Sequence, residues 1–259
     1  GNPYFLEQLL EGFDPQTGEI EAVPLADLIE RRLQRLPPAA LPLLQAIAVA
    51  GQAVTLPEAA VVADQMTAAM STVTHMRNER LVRLVGSGAS QLVDTYHDKI
   101  RETVLQGMEA VDRRDLHLKF GESLEKPLSD EGTESADEPV NSRVYDLAYH
   151  FYKADDPRAF RYQLAAGQAA LNDYAMETAL EFLRRAEGIQ PGDLDVSGQF
   201  QLQFSLAEAL RGNEQFEDSH RVYESAISVA ESNLDRARCE YGFAYGWAKQ
   251  GNYVNAKRT

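Results

Sequence analysis

The chain has 259 residues, 44% of them hydrophobic, enough for one large or two medium domains with real cores. Its formal net charge of −15 argues against general nucleic-acid binding, because affinity for a polyanion comes from clustered Lys and Arg that release counterions. The single cysteine, Cys239, excludes an intrachain disulfide framework and fits a reducing cytoplasm; no cysteine pair or histidine cluster offers a zinc site, and no apolar run approaches the roughly 18 residues of a membrane span.

Gly1-Asn2-Pro3 lacks the basic and apolar regions of a signal peptide. Tyr4 to Leu10 has helical apolar spacing, and Phe13 to Gly18 reads as a turn. An amphipathic helix is predicted around Leu25–Leu36 and ends at Pro37 and Pro38. Ala39 to Ala50 follows as a mostly apolar, buried helix closed by Gly51, the residue best suited to a positive φ at a helix end. Further helices at Pro57–Val62 and Met66–Glu79, the latter with Thr67 in its N-cap region, lead to two β-prone runs. These are Leu81–Val85 and Gln91–Asp94, joined by Gly86-Ser87-Gly88-Ala89-Ser90 as a hairpin signal. Three helices and then a β-hairpin is the order of a winged helix.

Tyr96–Met108 and Asp112–Glu125 return to helical spacing, the second with Leu116, Phe120 and Leu124 on one side. Pro127 to Pro139 is acidic and nearly devoid of apolar side chains, so it reads as a linker that cannot bury enough surface to order itself. From Arg143 onward everything is helical. Leu147, Ala148 and Phe151, then Ala159, Tyr162 and Ala166, outline a degenerate first hairpin turning at Asp156-Pro157. Ala179, Ser219 and Ala256 occupy one recurring small-residue slot, 40 and 37 residues apart. Each stands in a similar frame: Ala179-Leu183-Ala186-Pro191, Ser219-Tyr223-Ala226 and Gly251-Tyr253-Ala256. Such a period indicates stacked helical hairpins. His150 is expected to pack beside Tyr149, and Trp247 to belong to the core.

Those framed residues resemble tetratricopeptide repeats. The resemblance implies a concave face that binds a protein or peptide, and it leaves the last hairpin cut at Thr259, so the chain is expected to be an interior piece of a larger protein. The N-terminal half carries a second resemblance. Gly1-Asn2-Pro3-Tyr4-Phe5-Leu6 and Tyr96-His97-Asp98-Lys99-Ile100-Arg101-Glu102, separated by the winged-helix pattern, look like the C-terminal part of the nucleotide-binding module of STAND-class signalling ATPases. That resemblance implies that Pro3 lies against the nucleotide base and that His97 reaches the β-phosphate of bound ADP, with Asp98 bracing local backbone. Proline offers a rigid apolar surface, and an imidazole can donate a hydrogen bond to a phosphate oxygen.

The expected fold is mainly α, a winged-helix-like domain with a small β-hairpin followed by an α-solenoid of tetratricopeptide-like hairpins. Its divisions are 1–24, lid helix and turn of an ATPase module; 25–126, winged-helix-like domain; 127–141, acidic linker; and 142–259, tetratricopeptide-like repeats truncated at the C-terminus. The sequence contains no Gly-x-x-x-x-Gly-Lys-Ser/Thr phosphate loop and no apolar strand ending in acidic magnesium ligands. The fragment is therefore read as neither an enzyme nor a cofactor protein, with ATP or ADP belonging to the intact parent. No histidine or acidic pair forms a catalytic constellation.

The combination resembles bacterial regulators in which a Ser/Thr protein kinase or a nucleotide cyclase precedes the ATPase module, and it looks closest to the kinase-linked group. It implies a cytoplasmic regulatory and protein-interaction fragment, the repeats binding a partner and the winged helix relaying nucleotide state. Two alternatives stay open: a free-standing helical-repeat adaptor, and a winged-helix transcriptional regulator. Against the latter, the candidate recognition helix offers Arg77 and Arg80, with Arg83 beyond, but also Glu79, Met66 and Met70, while Val73 and Met76 suit the core.

Overall fold

The computed structural model describes residues 24–67, 69–86, 91–125 and 140–251. Pro3, the helix expected at Tyr4–Leu10, the turn at Phe13–Gly18, most of the acidic linker and the final Tyr253/Ala256 slot lie outside the described residues. The described chain is mainly helical, with one small antiparallel sheet, and it divides into two compact units at Ser123/Leu124.

The first unit is built around one apolar helix. Helix α1 (Leu25–Gln34) leads to α2 (Ala40–Ala50), whose Ala- and Leu-rich sequence buries eight residues and touches most of the elements that follow. Gly51 ends α2 at φ 79°, in the left-handed region expected of it. Strand β1 (Val54–Thr55) runs directly into α3 (Leu56–Val62). Thr55 accepts the Glu58 N–H at 3.3 Å while the Glu58 carboxylate accepts the Thr55 N–H at 2.9 Å, a reciprocal cap that two residues dictate.

Ala69 is the first described residue of helix α4 (Ala69–Asn78), and Met66 and Thr67, expected to open it, lie in a turn. Arg80 at φ 56° and the Leu81 N–H to Met76 carbonyl bond of 2.9 Å turn the chain into β2 (Val82–Val85). Strand β3 (Leu92–Thr95) returns, and helices α5 (Asp98–Gln106) and α6 (Ala110–Glu125) complete the series. The sheet has the order β1-β3-β2, all antiparallel, with Val93 opposite both Val54 and Leu84. β1 was not legible in the sequence, because two residues cannot display a period. Val73 and Met76 are buried as expected, whereas Met66 and Met70 are 61% and 65% exposed.

The second unit holds α7 (Val140–Lys153), α8 (Ala159–Asn172), α9 (Met176–Gly188), α10 (Val196–Gly212), α11 (Phe216–Val229) and α12 (Asn233–Lys249). One turn recurs between them. Asp155, Tyr174 and Glu214 follow α7, α8 and α10 at φ 58°, 58° and 59°. In each, the next residue's N–H reaches back five positions: Asp156 to Phe151 at 3.1 Å, Ala175 to Ala170 at 2.8 Å and Gln215 to Leu210 at 2.9 Å. That pattern closes a helix by satisfying carbonyls otherwise left open. Gly251 takes the same left-handed position after α12, at φ 77°. Residues 174, 214 and 251 stand 40 and 37 apart, the spacing of the small-residue slot.

Contacts also skip a helix, since α8 touches α10 and α10 touches α12. These three helices present one continuous layer. Ala179, Leu183, Ala186, Ser219, Tyr223 and Ala226 are all buried, and the Ser219 hydroxyl donates to the Ala207 carbonyl at 3.0 Å across α10 and α11. A Cβ on Gly246 would come within 2.6 Å of His220 Nε2, and one on Gly242 would press on the Tyr223 ring. The two glycines, one helical turn apart, let α12 lie close against α11. His150 is buried edge-on to Tyr149, centroids 5.1 Å apart, as its neighbour in sequence suggested. Trp247 is half-buried and lies 4.2 Å from the His220 ring.

Candidate functional site

Of the two residues singled out for nucleotide contact, Pro3 is outside the described residues and His97 occupies the junction between β3 and α5. His97 sits in extended backbone at φ −152° and caps α5: its Nδ1 accepts the Lys99 N–H at 3.1 Å. Neutral imidazole has one donor and one acceptor nitrogen, so a capping Nδ1 places the proton on Nε2. The capping residue is His97 itself rather than Asp98, whose carboxylate is exposed and stands 3.9 Å from Arg101.

Just before His97, β3 delivers a buried carboxylate. Asp94 accepts Arg83 at 2.8 Å and Arg101 at 2.6 Å, pinning strand β2 and helix α5 to β3. The Arg101 side chain is mostly buried, and with it the Asp94 pairing holds the start of α5 in one orientation. On another side of this unit, Leu56, Met66, Met70, Leu84 and Leu92 line an open apolar cleft of about 320 Å³. Such a lining accepts an apolar side chain and offers no reacting group.

The second unit supplies a different constellation, on the α8–α10–α12 layer. Phe204, Glu208 and Arg211 recur at helical spacing on α10, and Arg238, Tyr241, Tyr245 and Lys249 do so on α12. The two stripes meet ring to cation: Arg238 lies 4.3 Å from the Phe204 centroid, Arg211 lies 4.7 Å from that of Tyr245, and Lys249 lies 5.5 Å from Tyr245 on its own helix. Glu208 bridges Arg211 at 2.6 Å and accepts the buried Tyr223 hydroxyl. Burial and the Glu208 carboxylate together push the Tyr223 phenol far above its ordinary value, so it is a permanent donor. Cys239, on α12, is buried and pushed up to about 11 by desolvation, which makes it an inert thiol.

Of this second constellation only Tyr223, in the frame Ser219-Tyr223-Ala226, was singled out from the sequence. The spacing of Arg238, Tyr241, Tyr245 and Lys249 was there to find, but only packing reveals that α10 supplies the facing half. Among the described residues no group of three or more His, Cys, Asp or Glu is placed to hold a metal ion, and no helix is long and apolar enough to cross a membrane. Comparison of the chain with protein-family models, curated proteins and solved structures returns no match.

Proposed function

We propose that the second unit is a protein-docking scaffold, a set of tetratricopeptide-like hairpins whose α8–α10–α12 face binds a partner segment. The observation that carries this reading is the recurrence of one helix-closing turn at 174, 214 and 251 together with helix-skipping contacts, the arrangement by which stacked hairpins build an extended binding face. The exposed aromatic and cationic side chains of α12 belong to the residue types that dominate protein interfaces. A photo-crosslinking amino acid at Tyr241 is expected to capture one partner in cells, while the same probe at Glu217 on α11 captures none. Equal capture at both positions refutes a dedicated face.

The first unit fits a winged-helix relay in a larger STAND-type signalling protein, an arm that moves with nucleotide state. Its support is the element order from α2 to β3, the β1-β3-β2 sheet and the resemblance around His97. In a bacterial kinase-linked parent, ADP would join Pro3 and His97 to an upstream ATPase core, and partner docking would favour the other state. Each ligand must bind the two states differently for such a switch to work. The chain alone is expected to bind no nucleotide more tightly than about millimolar, about −4 kcal/mol by calorimetry. In the parent, unchanged ADP affinity after His97→Ala removes His97 from the relay.

A further inference from the structure

We infer that the segment docking on α10 and α12 is a short acidic peptide, a reading that rests on the docking role proposed above and adds its chemistry. In a chain of formal charge −15, the layer α8–α10–α12 carries five cationic residues (Arg161, Arg211, Arg236, Arg238, Lys249) against three acidic ones (Glu208, Asp235, Glu240). Helices α9 and α11 reverse this balance, with Arg184, Arg185 and Arg221 against six carboxylates. Arg161 is paired with Glu125 and Arg236 donates to the Ala230 carbonyl, so the cations of the aromatic strip on α10 and α12 are Arg211, Arg238 and Lys249, beside the Glu208 carboxylate.

Its geometry suits carboxylates. A guanidinium stacked on a ring is held flat while its edge N–H groups stay directed outward, where a carboxylate can take two of them. Arg238 lies over the Phe204 ring, 4.3 Å from its centroid, with its side chain 52% exposed and Asp235 at 3.5 Å. Lys249 lies 5.5 Å from the Tyr245 ring centroid. Between them Tyr241 is 71% exposed and Tyr245 38%, a large amphipathic area for the body of a peptide.

The number of charges selects the size of the ligand. Arg211 is already paired with Glu208, which leaves Arg238 and Lys249 as the main cations at the patch, enough for one or two carboxylates. A nucleic-acid strand needs phosphate contacts along its length, and the neighbouring helices α9 and α11, with six carboxylates against three arginines, supply few. A short segment remains inside the strip.

The test selects random dodecapeptides displayed on phage against the immobilised chain, then titrates the best peptide by fluorescence anisotropy at low and at physiological salt. Enriched peptides are expected to be rich in Asp and Glu. Arg238→Gln and Tyr241→Ala should each weaken binding about tenfold with an unchanged thermal melt, and added salt should weaken it further. Neutral or basic peptides that bind and lose affinity in Tyr241→Ala overturn the acidic assignment while leaving the docking face intact. Failure of any peptide to enrich overturns both. Competition by oligo-dT at the peptide's own affinity overturns the peptide assignment in favour of nucleic acid.

Discussion

Gly242→Ala tests whether the α11–α12 contact is as tight as the packing implies. The new Cβ would stand 2.8 Å from Tyr223 Cε1 and closer still to the ring carbon bearing the hydroxyl. Tyr223 cannot retreat, since it is fully buried and its hydroxyl is tied to Glu208, with Arg211 Nε 3.3 Å away. Overpacking of this kind costs about 1–3 kcal/mol. Pulling the hydroxyl from a charged acceptor costs about 1.5–3 kcal/mol more. Replacing a mid-helix glycine by alanine returns about 1 kcal/mol. The net expectation is a loss of about 1.5–5 kcal/mol. Trp247, the chain's one tryptophan, lies against His220 in the same interface, so equilibrium urea unfolding followed by its fluorescence reports this region. Gly188→Ala is the control: it lies in α9 with nothing within 4 Å of the added methyl, and should gain up to about 1 kcal/mol. A Gly242→Ala protein as stable as wild type, or stabilised like the control, refutes the close contact. Tyr223→Phe should also cost less in the Gly242→Ala background than alone, because the hydroxyl is already displaced there.

Asp94→Asn takes from the mostly buried Arg101 its close ion partner and leaves only the exposed Asp98 at 3.9 Å, so a loss of about 3 kcal/mol in the first unit is expected from chemical denaturation; a loss below about 1 kcal/mol would mean the pairing is only superficial. Tyr174→Gly relieves a left-handed conformation at a residue whose side chain is almost wholly exposed, so the second unit should gain about 1 kcal/mol, read by the same tryptophan. His220 has its pKa lowered by burial, against the opposing pull of the Phe243 backbone and Glu224. Its unfolded form therefore binds protons first as pH falls. Stability of the second unit should be full above about 6.5 and decline below it toward the folded pKa. His220→Gln should flatten that decline, and an unaltered slope in the variant would assign the effect elsewhere.

The helices were legible because their cause is local. Ala40–Ala50 is apolar and ends in glycine, and Val73 with Met76 marks one face of α4; neither needs a partner to be read. The same holds for the small residues at 179, 186 and 226, which anticipate tight crossings. Boundaries drifted by up to three residues where caps decide them. Thr67 was expected near a helix start, but the first described residue of α4 is Ala69, whereas the reciprocal Thr55–Glu58 cap went unread. His97 illustrates the middle ground. Its neighbours suggested a site, yet its role as the cap of α5 depends on β3 ending at Thr95.

The sequence by itself determined a mainly helical chain, the position of a small β-hairpin and a spacing of 40 and 37 that reappears in the turns at Tyr174, Glu214 and Gly251. These follow from hydrophobic period and turn chemistry, which act over a few residues. Tertiary structure alone decided that β1 would close the sheet beside β3, that Asp94 would gather Arg83 and Arg101, and that Phe204 and Arg211 would face Arg238 and Tyr245. Each of the last pairings joins residues more than thirty apart in the chain. Their encounter depends on how closely α12 can approach its neighbours, and that distance is set by two glycines meeting a buried tyrosine and histidine on another helix.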